Sequence, residues 1–499
     1  MIAGVAAALI AGCGGGSAKV AAVDGGLVMG AGPDGDAPEV ASGAGDGAAT
    51  AGDAAAVADG GGAPDAAAPD AATPGPTCAD LFTQDTLQTY AVDISADELA
   101  KLDAEFHDIP AIQTGLKFQT EHPVVLHYGA ETVAQASIHL KGQSSWLQTV
   151  QLDGAAAKMQ VVISFDTVDP NARFHGVSKL SFDMPRSDLT FLHERLAYNW
   201  LRKIGITAPC ANSGRLLING AYYGLYVVEE SIGHHLLKEF FPTNADGDLW
   251  KGGVEAATNK LAPNEARRAA FWAAADIPAM SAIIDLPGSV LEWAAEAVLN
   301  DADGYWGGVH NFYVYDQGAQ GFLWLPTDTD ATFEWLGRVN DHPFYWWVGR
   351  RVNEPPGQHY RAVLGDPTWR GRFVDAVATQ LGRWDVAELQ SWVDTWSAQI
   401  ADAVAADPHR VATVGQFQSA IANAHAEIAG RAAFLQSWLA CEAGQVQVQA
   451  GDGDDRDGDG ARWCDDCNDG DPAVHPGAPE ACGNHVDDNC NGVVDEGCP

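Results

Sequence analysis

Two acidic stretches carry enough hard oxygen at close spacing to do chemistry. The first begins Asn300-Asp301-Ala302-Asp303-Gly304-Tyr305 and continues through His310-Asn311-Phe312-Tyr313-Val314-Tyr315. It ends in Leu325-Pro326-Thr327-Asp328-Thr329-Asp330-Ala331-Thr332-Phe333. An Asn on a strand, then a turn, then a paired Asp-x-Asp gathers oxygen ligands at one point. Mg²⁺ takes a few carboxylates and completes its shell with water and substrate phosphate. On a strand, Asp328 and Asp330 would face the same side, because side chains alternate with period two. The plainer alternative is that both merely cap a following helix.

The second stretch lies near the C-terminus. Asp455, Asp457 and Asp459, followed by Gly460, occupy positions 1, 3, 5 and 6 of a calcium loop, with Asp466 at position 12 where Glu is usual. The shorter side chain there weakens bidentate binding. An acidic, disulfide-stapled spacer without a specific metal is the simpler reading of the same residues. Motifs of a secreted hydrolase are absent: the chain holds no Gly-x-Ser-x-Gly and no His-Glu-x-x-His.

The elements that must position the first stretch are legible upstream. Gln88-Thr89-Tyr90-Ala91-Val92-Asp93-Ile94 alternates like a strand, and Ser95-Ala96-Asp97-Glu98 is a capping box opening an amphipathic helix to about Phe106. Strands are expected at 122–128, 134–140 and 159–166, and a helix over 188–203 with Asp188 as its cap. Asn219-Gly220 between two β-prone runs predicts a hairpin. From about 285 the pattern turns helical, interrupted by a strand pair around Asn311–Tyr315 and Gly321–Leu325, and helices dominate 360–441. Strands early and helices late predict an α+β domain over 78–445, sheet-rich at its N-terminal part and helical at its C-terminal part, with a cleft between them.

The ends of the chain are different in kind. Residues 1–13 form an apolar run closed by Ile10-Ala11-Gly12-Cys13, which resembles a bacterial lipobox with Cys13 as the lipidated residue. No Lys or Arg precedes the run. Residues 14–77 are almost wholly Ala, Gly, Asp and Pro, and are expected to be a disordered tether that lifts the domain off a membrane. Gly14 after the lipid cysteine leans toward the outer membrane or cell surface. Apart from Cys13 there are eight cysteines: Cys78, Cys210, Cys441, Cys464, Cys467, Cys482, Cys490 and Cys498. Most sit in the module 446–499, which has too little apolar surface to fold unaided, so disulfides or metal must hold it in an oxidising, extracytoplasmic compartment. A net charge of -39 over 499 residues excludes a nucleic-acid partner, which needs a Lys/Arg surface.

These pieces, in this order, resemble the CotH family of atypical protein kinases. The carriers are the Asn/Asp segment ending at Asp303, His310-Asn311-Phe312-Tyr313, and Asp328-x-Asp330-x-Thr332-Phe333. Upstream, Lys141-Gly142-Gln143-Ser144-Ser145-Trp146, the strand Lys158 to Phe165, the segment Asp188 to Leu196, Asn219 to Glu230, and Asp248-Leu249-Trp250-Lys251 are similar to family elements. The likeness covers roughly residues 88–440. It implies a two-lobed, kinase-like fold that transfers the ATP γ-phosphoryl group to Ser/Thr hydroxyls of surface or secreted proteins. It implies Asp303 as base, with Asp301 two residues away as the alternative, and Asn311 and Asp328 as ligands of Mg²⁺ (or Mn²⁺), assisted by Asp330. Lys158 would contact phosphate, Glu230 would orient a lysine or the metal shell, and Lys141, Ser144, Ser145 and Lys251 would line the nucleotide. Lys141 stands where the family has Arg, Gln143 replaces Asn, Val162 and Ser164 replace basic residues, and Thr327 replaces Trp. A catalytically inactive, adhesin-like relative is the rival reading. The tail is similar to metal-binding Cys/Asp repeats of myxobacterial type, some named for copper. Its carboxylate and amide oxygens favour Ca²⁺, and His475 alone makes no copper site.

Overall fold

The computed structural model describes residues 78, 80–114, 120–142, 144–184, 186–333, 341–344, 357–444, 455–491 and 493–498. The expected lipobox at Cys13, the tether 14–77 and Gln143 lie outside the described residues.

In chain order the elements are β1 (Gln88–Ile94), α1 (Ala96–Phe106), α2 (Ile109–Gln113), β2 (His122–Tyr128), β3 (Glu131–Leu140), α3 (Ser144–Leu152), β4 (Val161–Ser164) and β5 (Lys179–Asp183). They continue with α4 (His193–Lys203), β6 (Ala211–Ile218), β7 (Ala221–Glu230), α5 (His234–Phe240), β8 (Leu249–Lys251) and β9 (Glu255–Ala256). Then come α6 (Glu265–Ala273), α7 (Ile277–Ile283), α8 (Leu286–Leu299), α9 (Tyr305–Gly308), β10 (Phe312–Asp316) and β11 (Phe322–Pro326). The remaining helices are α10 (Gln358–Gly365), α11 (Pro367–Leu381), α12 (Val386–Ala406) and α13 (Val414–Glu442). The expected α+β composition is present.

The first seven strands form a closed barrel in the order β1-β2-β3-β4-β5-β7-β6. Neighbours pair antiparallel except where β6 closes on β1 in parallel, Tyr90 facing Leu216. Closure leaves no unpaired strand edge. Tyr90, Leu126, Ile138, Ile163, Leu180, Phe182, Tyr226 and Val228 fill the barrel. Alternate residues of β7, Leu225 and Val227, point the other way into a second core built from α4, α8 and α10 to α13. That core carries Trp200, Trp293, Trp306, Trp324 and Trp438, all fully buried. A small sheet, β11-β10-β8-β9, contributes Phe312, Val314, Phe322 and Trp324 to it.

Local signals explain most boundaries. Ser95 accepts the Glu98 amide and starts α1. Asn219 and Gly220 both take positive φ, 49° and 78°, as a two-residue hairpin of the mirror-image type requires. The helix expected from 188 begins only at His193. Asp188 still caps it, from outside, by accepting the amides of Thr190, Leu192 and His193.

Four disulfides join Cys78 to Cys210, Cys441 to Cys464, Cys467 to Cys490 and Cys482 to Cys498. The first ties the start of the described chain to the residue that leads into β6. The other three hold a tail without helices or strands among its described residues. No described helix is long and apolar enough to cross a membrane.

Candidate functional site

The acidic site is assembled from three loops tied by backbone bonds. Helix α8 ends at Asn300, left-handed with φ 57°, where Asn is tolerated. Its last turn is pinned to the segment after β11: Phe333 donates to the Leu299 carbonyl (2.8 Å), and Ala302 to the Ala331 carbonyl (3.1 Å). Just beyond the paired ends of β10 and β11 the Thr327 amide donates to the Asn311 carbonyl at 2.9 Å. These ties bring the three expected residues together. The Asn311 side-chain amide donates to Asp303 Oδ2 at 2.9 Å and reaches the Asp328 carbonyl at 3.5 Å. Asn311 and Asp328 are both left-handed, φ 46° and 56°. Such backbones cost energy and concentrate where a site over-determines them. The Asp328 amide donates to the Tyr198 hydroxyl of α4 at 2.7 Å, which fixes the turn.

The Asp-x-Asp is therefore not a strand. Asp328 precedes a single 3₁₀ turn, Thr329–Ala331, and its carboxylate makes no cap to that turn. Neither strand alternation nor capping accounts for the pair. Asp328 is exposed and Asp330 half-buried, so the site opens to solvent on this side. Although Asp328 as a whole reaches solvent, protein atoms crowd its carboxylate, and this partial loss of water comes first in raising it. Asp183 and Asp303 add to the rise, Lys141 and Lys251 oppose it, and the result is about 6. Burial, then Asp328, Asp303, Asp183 and Asp188, hold Asp330 well above the usual range.

The barrel supplies the other wall. Lys141, just after β3, donates to Ser181 Oγ (2.7 Å), to Asp183 and to Glu229 Oε1 (3.1 Å). Burial alone would lower this lysine, but Asp183, Glu229, Asp328 and Glu194 outweigh it and hold the ammonium well above its usual value. Burial and then Lys141 act on Asp183 in opposite senses, and the lysine prevails, keeping it ionised. Glu194 of α4 and Glu229 of β7 are pushed up by burial and by their neighbouring carboxylates. Lys251 stands exposed at the end of β8, opposite Tyr313 of β10. Gly142 takes φ 86°, and a Cβ there would meet Gln160 Oε1 at 3.0 Å, so the backbone turns tightly at Gly142 itself, next to Lys141. Ser145 Oγ accepts the Gln160 amide at 3.2 Å. Ser144 contributes the first residue of α3.

Three expectations are corrected. Lys158 does not reach the site: its fully buried ammonium pairs with Asp407 at 2.6 Å and donates to the Leu225 carbonyl. Glu230 also faces elsewhere, bonded to His235 at 2.5 Å, while its neighbour Glu229 meets Lys141. Adjacent strand residues face opposite sides, and Glu229 shares the parity of Leu225 and Val227. Asp301 is wholly buried against Glu296, behind Asp303, which leaves Asp303 as the carboxylate beside Asn311.

Asp183, Glu194 and Glu229 were not anticipated. Ser181 and Asp183 alternate with Leu180 and Phe182, so the face of β5 that carries them was readable. No local pattern marks Glu194, one of nine buried residues in α4.

In the tail, carboxylate oxygens of Asp455, Asp457 and Asp459 lie within 4.8 Å of one another. Asp457 Oδ2, Asp459 Oδ2 and Asp466 Oδ2 are buried without hydrogen-bond partners. Burial, reinforced by Asp459 and Asp457, pushes Asp466 up to about 7. Oxygens left in this state suit a hard cation. All tail cysteines are in disulfides, so none offers a thiolate to copper.

Against known families, a model described as CotH kinase protein matches residues 140–274 and 279–435. A second, the Cu-binding MopE metal-binding motif, matches residues 466–496. No curated protein matches the chain.

Proposed function

Because the chain belongs to the CotH kinase protein family, we propose that it transfers the γ-phosphoryl group of ATP to Ser/Thr hydroxyls of surface or secreted proteins. The observation that carries this reading is the convergence of Asp303, Asn311 and Asp328 beside Lys141. In a two-lobed arrangement the barrel and the helical part would flank the nucleotide.

The donor set fits Mg²⁺ or Mn²⁺: carboxylate and amide oxygens, solvent-accessible at Asp328, with room for water and phosphate oxygens to complete the shell. Asn311 and Asp328 would hold the ion, with Asp330 behind them. When bound it would neutralise charge on the phosphate oxygens. Asp303 accepts the proton of the attacking hydroxyl, and its bond from Asn311 aims the carboxylate. The new bond joins that hydroxyl oxygen to phosphorus as the bond to ADP breaks. Lys141 and Lys251 supply positive charge, and the loop at Gly142, with Ser144 and Ser145, would cover the nucleotide. Burial of Glu194 and Glu229 keeps water from the barrel side.

One observation favours a binding-only protein: Lys141 is already engaged by Asp183 and Glu229, and Lys158 is not available to replace it. Incubating the full chain with labelled ATP, Mg²⁺ and casein separates the readings. Transfer by wild type that disappears in Asp328→Asn supports catalysis, whereas nucleotide binding without transfer supports the adhesin-like alternative.

Four disulfides and the lipobox-like start support an extracytoplasmic protein anchored by lipid at Cys13. The unmet oxygens of Asp457, Asp459 and Asp466 support Ca²⁺ in the tail, with Asp455 completing the set.

A further inference from the structure

The barrel-side carboxylates play no part in the phosphoryl transfer beyond walling off water, yet their arrangement is specific. Asp183 of β5, Glu194 of α4 and Glu229 of β7 each place one oxygen within 4.8 Å of the others. All three are buried: 4 %, 0 % and 5 % exposed. Asp183 and Glu229 are partly satisfied by Lys141. Glu194 is not. Neither of its oxygens has a hydrogen-bond partner, although both are shut off from solvent.

A buried carboxylate with no donor is costly unless a cation or a proton meets it. Three carboxylates against the single Lys141 ammonium leave two negative charges when all are ionised. The donors are oxygen only, which selects hard divalent ions. The opposite wall adds Asp303, Asp328 and Asp330, so a polyphosphate entering the site would meet a strongly acidic surface that Lys141 and Lys251 offset in part. We propose that Asp183, Glu194 and Glu229 hold a divalent cation, Mg²⁺ or Mn²⁺, on the barrel side, distinct from the ion assigned to Asn311 and Asp328. The ion binds in the absence of nucleotide and makes the site receptive to phosphate. It needs no transfer activity.

Mn²⁺ alone is the probe, titrated into the full chain without nucleotide and followed by the electron paramagnetic resonance signal of the free ion. Wild type takes up one more ion than Glu194→Gln, or binds that ion at least tenfold more tightly. Asp328→Asn retains it, and ions held by the tail are common to every variant. The melting temperature of Glu194→Gln without metal equals or exceeds that of wild type, because an unmet carboxylate has been removed, while its Mn²⁺-induced rise is reduced. Glu229→Gln provides the same reading should Glu194→Gln fail to fold. Wild-type stoichiometry and affinity in the folded variants would overturn the site and make Glu194 a protonated core acid. Label transfer by a wild type with no such ion would do the same, while leaving the kinase reading standing.

Discussion

Replacing Asp407 tests whether Lys158 is a structural residue or a phosphate ligand. Lys158 Nζ sits 2.6 Å from Asp407 Oδ2 and 2.6 Å from the Leu225 carbonyl, and lies 4.6 Å from the centre of the Tyr226 ring. The two side chains are 0 % and 1 % exposed. Asp407 also accepts the amides of Leu225 (2.9 Å) and His409 (2.8 Å). Burial pulls the lysine below its usual range, and Asp407 opposes that fall. Asp407→Leu therefore leaves an ammonium buried with one carbonyl and a ring face, a loss of about 3–5 kcal/mol. At about 1.4 kcal/mol per decade, that lowers the folding constant by roughly 10²–10⁴. Lys158→Met costs less, about 2–3 kcal/mol, because Asp407 keeps its two amide donors. The double variant removes the stranded ammonium but leaves the Leu225 and His409 amides without their acceptor, so it recovers only part of the Asp407→Leu loss. Urea unfolding measures all three: midpoints shift while the slope stays constant. A Lys158→Met protein as stable as wild type, with ATP affinity lost, would refute the assignment and return Lys158 to the nucleotide.

Three further outcomes follow from particular contacts. Glu229→Gln, which loses its charge beside Lys141, changes nucleotide or metal affinity at least tenfold by calorimetry; Glu230→Gln, whose partner is His235, leaves it within about twofold. His342 and His359 are held down to about 3 and about 4, chiefly by burial. Both are neutral when folded and titrate near 6.5 when unfolded. Their contribution is intact above pH 6.5 and lost as pH falls, by about 2 kcal/mol per pH unit on average between pH 6 and 4 for the pair, and His342→Gln flattens the slope of a pH–stability curve. In the tail, Ca²⁺ at a hundred times its Kd adds about 2.7 kcal/mol of protection to residues 455–498, read by limited proteolysis. Chelation reverses it, Asp466→Asn weakens it, and an equal response to copper but not calcium would sink the oxygen-site assignment.

What the sequence alone determined was local in origin. Period-two runs marked β1 and β2, Asn219-Gly220 set the β6–β7 turn, Ser95 set the start of α1, and the order of Asp303, Asn311 and Asp328 carried the family resemblance and named three residues that the fold brings together. Each depends on residues within a few positions, where backbone preference and side-chain spacing suffice. Tertiary structure decided everything that turns on which way a side chain faces and what it meets across the chain. Parallel pairing of β1 with β6 closed the barrel over a separation no local pattern encodes. Lys158 and Lys141 looked equally suited to phosphate, yet one is claimed by Asp407, 249 residues away, and the other meets Asp183 and Glu229. Glu229 and Glu230 were separated by strand parity once Leu225 and Val227 were seen to enter the helical core. The Asp-x-Asp became a left-handed Asp328, held by the Tyr198 hydroxyl, followed by a 3₁₀ turn that carries Asp330, and Glu194 gained meaning only when α4 packed it against two carboxylates from the barrel. Burial and long-range charge are properties of the assembled fold, so no reading of neighbours along the chain could supply them.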